Sequence, residues 1–225
     1  MGVSYNTKTV TNGLVLSLDA ANRKSYSGSG TTWADLSGSN NNGTLTNGPT
    51  YSSANSGVII FDGTNDHVSG ANTASTDLTV DMTIEVWFKL SATANDWVRT
   101  FGKGDSTNRT YGLWYNVAAG SFLYQRYGGG NPGAFYTSTV NIGQWYHMVG
   151  TSSGSSHVLY LNGISVATST AATPVLSSAE GYRIGAATFH TFHNGPIAAV
   201  RLYNRGLTNA EVQQNFNALR GRFGI

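Results

Sequence analysis

Phe61-Asp62-Gly63-Thr64-Asn65-Asp66-His67-Val68 is the stretch on which the fold of this chain turns. It follows the apolar run Gly57-Val58-Ile59-Ile60 and precedes Thr83-Ile84-Glu85-Val86-Trp87-Phe88. Asp-Gly between two strand-like runs is a hairpin signal, because glycine tolerates the positive φ that a tight turn demands. The stretch predicts that an apolar strand reverses at Asp62-Gly63 into a second, alternating strand. It therefore argues for antiparallel β-structure.

Working outward, strand-like segments recur with Gly and Asn between them, the pattern of a sandwich or barrel. Leu14, Leu16 and Leu18 alternate with Val15 and Ser17. Met82, Ile84, Val86 and Phe88 share one face of a strand, and Thr83, Glu85, Trp87 and Lys89 the other. Further strands are expected at Trp97–Phe101, Tyr111–Tyr115, Ser121–Tyr127, Trp145–Thr151, His157–Leu161, Tyr182–Ala186 and Pro196–Tyr203. Asn162-Gly163 reads as a type I′ hairpin turn. Ser25–Gly30 and Gly128–Gly133 read as loops, and no strand–helix–strand alternation suggests a parallel sheet. One helix is expected. Thr208-Asn209-Ala210-Glu211 is a capping box, Val212, Phe216 and Leu219 repeat at helical spacing, and Gly221 is a candidate stop.

In order and spacing, several segments resemble the laminin-G-like branch of the concanavalin A-like lectin/glucanase superfamily. They are Gly13–Asp19, Trp33–Leu45, the Phe61–Val68 stretch, Trp145–Val149, Leu159–Gly163 and Arg201–Thr208. The opening Asp19-Ala20-Ala21-Asn22, Lys24-Ser25-Tyr26 and Gly28–Trp33 most resembles versions found in tailed-phage structural proteins. The resemblance implies a concanavalin A-like jelly roll: an all-β antiparallel sandwich with one short C-terminal helix. The domain is expected over residues 13–225, with residues 1–12 as an N-terminal arm for attachment or a flexible tail.

Composition bounds the rest. A chain of 225 residues with 40% hydrophobic and 12% aromatic residues can bury a substantial core, and no linker divides it. Charged residues are only 11%, so Ser, Thr, Asn and Gly must cover the surface, as in secreted, adhesive or virion proteins. A net charge of +2 supplies no general drive toward nucleic acid or acidic membrane. The absence of cysteine excludes disulfides, thiolate zinc sites and a cysteine nucleophile. Met1–Lys8 has no signal-peptide pattern, Asn6 spoils a myristoylation motif, and no apolar run is long enough to span a membrane. The expected location is a virion surface, reached when a particle is released by lysis, with an extracellular protein as the alternative.

Candidate chemistry is sparse. The resemblance implies, for glucanases, paired carboxylates in a Glu-x-Asp-x-Glu pattern, and a retaining pair must stand about 5 Å apart. Glutamate occurs only at Glu85, Glu180 and Glu211, and Glu85 has no second carboxylate on its strand face. The five histidines are dispersed, and no nucleophile elbow exists. His190 and His193 are read as an exposed hairpin tip rather than a metal pair. The resemblance also implies a calcium carboxylate in an Ile-Asp-x-Val-Arg-x-Tyr strand, yet Ile197–Tyr203 carries Ala198 at that place. Asp62 and Asp66 read as turn-capping carboxylates, with a separate calcium site as the alternative.

The remaining hint is aromatic. Tyr111, Trp114, Tyr115, Tyr124, Tyr127 and Tyr136 fall mid-chain with Gln125, Arg126 and Asn131 between them. The expected recognition surface is Trp114, Tyr124, Arg126, Tyr127 and Asn131, beside Gly128-Gly129-Gly130. Trp33, Trp87 and Trp145 are read as structural. The chain thus reads as a non-enzymatic virion protein of a tailed phage: a capsid decoration, head-fibre or tail-fibre component displaying a lectin-like domain. No metal or other cofactor is expected. Its expected partners are other virion subunits, cell-surface glycans and further copies of itself, with no nucleic acid and no membrane insertion. A free or adhesin-borne bacterial carbohydrate-binding module is the alternative, and a glycan hydrolase is disfavoured by the missing carboxylate.

Overall fold

The computed structural model describes residues 8–104, 106–107, 109–127, 133–170, 178–188 and 191–225, with backbone only at Tyr127. Its strands are β1 (Leu14–Asp19), β2 (Thr32–Trp33), β3 (Gly43–Thr46), β4 (Thr50–Ser52), β5 (Val58–Asp62), β6 (His67–Gly70), β7 (Met82–Lys89) and β8 (Val98–Lys103). They continue with β9 (Arg109–Asn116), β10 (Ser121–Tyr127), β11 (Gly133–Thr137), β12 (Trp145–Ser153), β13 (Ser156–Leu161), β14 (Ile164–Thr170), β15 (Tyr182–Ile184) and β16 (Asn194–Tyr203). The helix α1 spans Asn209–Phe223.

These strands form two antiparallel eight-stranded sheets. The first runs β14-β13-β12-β7-β16-β5-β4; β5 pairs with one end of β16 and β1 with the other. The second runs β11-β10-β9-β8-β15-β6-β3-β2. Alternation places Ile84, Val86 and Phe88 of the first sheet against Phe101, Leu113, Tyr115 and Ile184 of the second, in one continuous core. The other face of β7 is buried as well. Trp87 stacks on Phe216 and Phe223 of α1, with centroids 5.8 and 4.4 Å away. Both alternating sets of β7 are therefore covered, one by a sheet and one by a helix.

The Asp62-Gly63 hairpin is corrected by the structure. β5 belongs to the first sheet and β6 to the second, so the stretch arches between them. Side chains replace the missing ladder. Asp62 accepts the Thr64 N–H at 2.8 Å, and Asp66 accepts the Asp62 N–H at 3.1 Å. The loop is an Asx-turn whose two ends deliver Phe61 and Val68 to one core from opposite sheets. A two-residue hairpin is present at Asn162-Gly163, where φ is +50° and +77° and Leu161 faces Ile164. Only glycine and asparagine accept that conformation cheaply.

The capping box at α1 is present. Thr208 Oγ1 accepts the Glu211 N–H at 3.3 Å, and Glu211 accepts the Thr208 N–H at 2.9 Å. The helix passes through Gly221, however, and stops at Gly224 with φ +70°. Phe223, packed on Trp87 and Trp145, holds the last turn in place, so the left-handed cap falls after it. Residues 8–12, within the expected N-terminal arm, pack on the domain. Val10 is buried, and its N–H donates to Asn215 Oδ1 at 2.8 Å.

Candidate functional site

Strand parity sorts the expected recognition residues onto two faces. On β9, Tyr111, Leu113 and Tyr115 enter the core, while Trp114 lies on the outer face of the second sheet with Leu123 of β10. Tyr124 points inward, and its hydroxyl lies 2.6 Å from Ser152 Oγ. Arg126 is also inside, donating to the carbonyls of Thr110, Val80 and Leu78. The expectation that Tyr124 and Arg126 present an exposed surface is corrected: both are fully buried. Trp114 is on the outer face, but only 2% exposed. Asn131, the Gly128–Gly130 run and the Tyr127 side chain lie outside the described residues.

Two lateral rows define that outer face. In one, Arg99 of β8 pairs with Trp114, Trp114 with Leu123, and Leu123 with Phe135 of β11. In the other, Arg183 of β15 pairs with Gly102, Gly102 with Gly112, and Gly112 with Gln125. The glycine pair leaves room for bulky neighbours. A Cβ at Gly112 would come within 2.5 Å of Trp114 Nε1, and one at Gly102 within 2.8 Å of Arg99 Cδ. The indole and the arginine stem fill that hollow.

Three guanidinium groups gather there. Those of Arg99 and Arg109 lie 5.5 and 5.8 Å from the Trp114 ring centroid. Arg109 also donates to Gln125 Oε1 at 3.4 Å. Arg183 sits at the rim, 30% exposed, with Glu180 3.9 Å away. Arg99 is fully buried; its Nε donates to Ala186 O at 3.0 Å and its Nη1 to Gly104 O at 3.1 Å. Burial, then the like charge of Arg183 and, less strongly, Arg109, pulls Arg99 down to about 9. Beyond Leu123 an aromatic shelf is open to solvent: Phe135 is 53% exposed and meets Trp97 edge-on at 6.1 Å. Sequence reasoning missed Arg99, Arg109 and Arg183, because only cross-strand register brings them together.

Elsewhere the structure closes candidate chemistry down. Glu85 is fully buried beneath α1. Arg201 Nη1 donates to Glu85 Oε1 at 2.6 Å, and Asn215 Nδ2 donates to Oε2 at 2.7 Å. His147 Nε2 lies 3.2 Å from Oε1 but is not aligned for a hydrogen bond, so it is a close polar contact only. Burial raises the carboxyl, yet the Arg201 charge with His147 and Asn215 outweighs it and holds Glu85 down to about 2. His193 is not at an exposed tip. It is buried among Phe61, Phe88 and Tyr115, its Nδ1 lies 3.0 Å from the Tyr115 hydroxyl, and burial lowers it to about 3. His190 lies outside the described residues.

A groove of about 300 Å³ runs between the Asn162-Gly163 turn and α1. Its aromatic, Phe216, is stacked on Trp87 and covered by the Arg220 guanidinium at 5.2 Å, so it offers no open face to a ligand. Ala198 is fully buried in the apolar cluster of Trp87, Trp145 and Phe223, which does not fit a calcium ion's need for oxygen ligands. No group of three or more His, Asp or Glu placed to hold a metal occurs among the described residues. EDTA is therefore expected to leave the thermal midpoint unchanged. A fall of many degrees would reveal a structural metal and overturn this reading of Ala198.

A family model described as the concanavalin A-like lectin/glucanases superfamily, Laminin_G_3, matches residues 62–213. No curated protein matches the chain. Among solved structures, Trypanosoma rangeli sialidase bound to the inhibitor DANA superposes with a TM-score of 0.68 at 17% identity, over 95% of this chain and 35% of that one. The chain thus spans about a third of the sialidase. The binding domain of Paraclostridial Mosquitocidal Protein 1 superposes with a TM-score of 0.71 at 17% identity, over 92% of this chain and 52% of that one. Domain 4 of the extracellular arabinanase AbnA from Geobacillus stearothermophilus, in complex with arabinotriose, gives a TM-score of 0.66 at 16% identity, over 90% and 97%. At these identities the likeness is one of fold.

Proposed function

Because the chain belongs to the concanavalin A-like lectin/glucanase superfamily, through its Laminin_G_3 domain, we propose that it is a non-enzymatic glycan-recognition module carried on a tailed-phage particle. In this reading it is a capsid decoration, head-fibre or tail-fibre component on the virion surface, docked to other virion subunits and facing host-cell glycans. The observation that carries the non-enzymatic part is Glu85. The one strand carboxylate in a glucanase-like setting is buried, ion-paired to Arg201 and roofed by α1, with no water-accessible partner carboxylate beside it among the described residues. A general acid must reach its substrate, and this one cannot.

Recognition of sugar is supported by the outer face of the second sheet. It offers the exposed Phe135 ring, with the half-buried Trp97 beside it, and the planar Arg183 guanidinium at the rim, groups that meet a sugar's apolar face and its hydroxyls. The arabinanase domain of the same fold was solved with arabinotriose. The phage assignment is supported by the Asp19–Trp33 opening and by the low charge content. A free carbohydrate-binding module is the second reading, favoured by the nearly complete overlap with the arabinanase domain. Mass spectrometry of purified particles separates the two, and a glycan array tests what they share. Binding to no glycan would overturn both. The protein is expected to release no reducing ends from laminarin, carrageenan or agarose, and reproducible turnover would end the non-enzymatic reading.

A further inference from the structure

We propose that the outer face of the second sheet is an anion site, in which Arg99 and Arg183 receive the carboxylate of an acidic sugar. This rests on the glycan-recognition reading and narrows it to a ligand class. The other buried or half-buried arginines show what is unusual here. Arg201 has Glu85, Arg205 has Glu211 and Arg222 has Asp19, each within 2.8 Å. Arg126 has no carboxylate but donates to three backbone carbonyls. Arg99 has neither complement. Two carbonyls take Nε and Nη1, its Nη2 is buried with no hydrogen-bond partner, and no carboxylate among the described residues lies within ion-pair distance.

Its charged neighbours make the deficit larger. Arg183 and, less strongly, Arg109 add like charge, and the Glu180 carboxylate reaches Arg183 only at 3.9 Å. A buried guanidinium left short of acceptors, with two more beside it, is destabilised as it stands. An incoming anion removes that cost. Guanidinium forks match a carboxylate in shape and bind it through paired, charge-assisted hydrogen bonds. Arg183, 30% exposed at the rim, meets the anion first, and Arg99 supplies charge from beneath.

The same face says why the anion is carried on a sugar. Arg99, Trp114, Leu123 and Phe135 occupy one lateral row, so the exposed Phe135 ring lies roughly 14 Å from Arg99 at three inter-strand spacings. That span suits an oligosaccharide, with its charged residue over the arginines and a neutral ring on Phe135. A small free anion would leave the shelf unused.

The test is calorimetric titration of the full chain with a panel of uronate and nonulosonate oligosaccharides, each beside its neutral methyl ester. The acid is expected to bind at least about tenfold more tightly than its ester, from one or two charge-assisted hydrogen bonds. Arg183→Gln should remove most of that preference while the melting temperature holds, because Arg183 sits at the rim. Arg99→Met should do the same; if it fails to fold, Arg183→Gln still decides. Glu180→Gln, which deletes the competing internal anion, should tighten the acid and leave the ester unchanged. Equal binding of acid and ester, or a preference untouched by Arg183→Gln, overturns the anion site while the glycan reading stands. Failure to bind any glycan, charged or neutral, overturns both.

Discussion

Glu85→Ala is expected to destabilise the protein by about 3–5 kcal/mol, the usual cost of leaving one half of a buried ion pair behind. For a chain of this size that is a fall of roughly 10 °C in thermal midpoint. The residue left stranded is Arg201, buried among Tyr203, Asn215 and the helix. The loss spreads because Glu85 belongs to a closed network. Asn215 Nδ2 donates to Glu85 and to the Tyr203 hydroxyl at 2.9 Å; Tyr203 donates to Val10 O at 3.1 Å; Val10 N–H returns to Asn215 Oδ1. The network joins the N-terminal segment, β7, β16 and α1. Replacing both partners, Glu85→Leu with Arg201→Met, is expected to cost less than either single change, since no charge is left unpaired. A double variant less stable than both singles would refute this account.

The same group makes stability depend on pH. Its folded value is depressed to about 2 from an ordinary value of 4.5. A depressed carboxylate contributes stability that is fully present above the unfolded value. It is lost as pH falls from about 4.5 through about 2. Chemical denaturation of wild type and Glu85→Gln across that window should show the gap between them narrowing as pH drops. A constant gap would mean that Glu85 is not the ionised partner of Arg201.

Arg126→Ala is expected to behave as a core lesion, costing about 3 kcal/mol or more, and not as a silent change on a binding surface. The side chain is fully buried and holds the carbonyls of Thr110, Val80 and Leu78. Truncation leaves three acceptors without a donor and opens a cavity, and each orphaned group costs about 1–3 kcal/mol. A melting temperature within a degree of wild type, with glycan binding lost, would return Arg126 to the recognition surface. Arg183, by contrast, is at the rim and is expected to change binding without changing the melt.

Much of the architecture was legible in the chain because it depends on local rules. Period-two alternation marked β7, β10 and β12 almost to their ends. The Thr208–Glu211 capping box placed the start of α1, and Asn162-Gly163 placed a hairpin. Alternation also showed that only half of the mid-chain aromatics could face outward; Trp114 does, while Tyr111, Tyr115 and Tyr124 do not. Which half depends on which sheet lies behind, and that is a long-range fact.

The structure alone decided the rest. Asp62-Gly63 has the chemistry of a tight turn in either case, but whether its strands pair or part depends on β4, β16, β3 and β15, distant in sequence. Gly221 and Gly224 are equal as helix stops until Phe223 packs on Trp87. Arg99, Arg109 and Arg183 come from three strands, and their meeting over Gly102 and Gly112 follows from cross-strand register. Local sequence sets dihedral preference and side-chain parity, each within a few residues. Register and sheet partnership are set by burial summed over the whole core, so the face that gathers those charges becomes visible only once the chain has closed on itself.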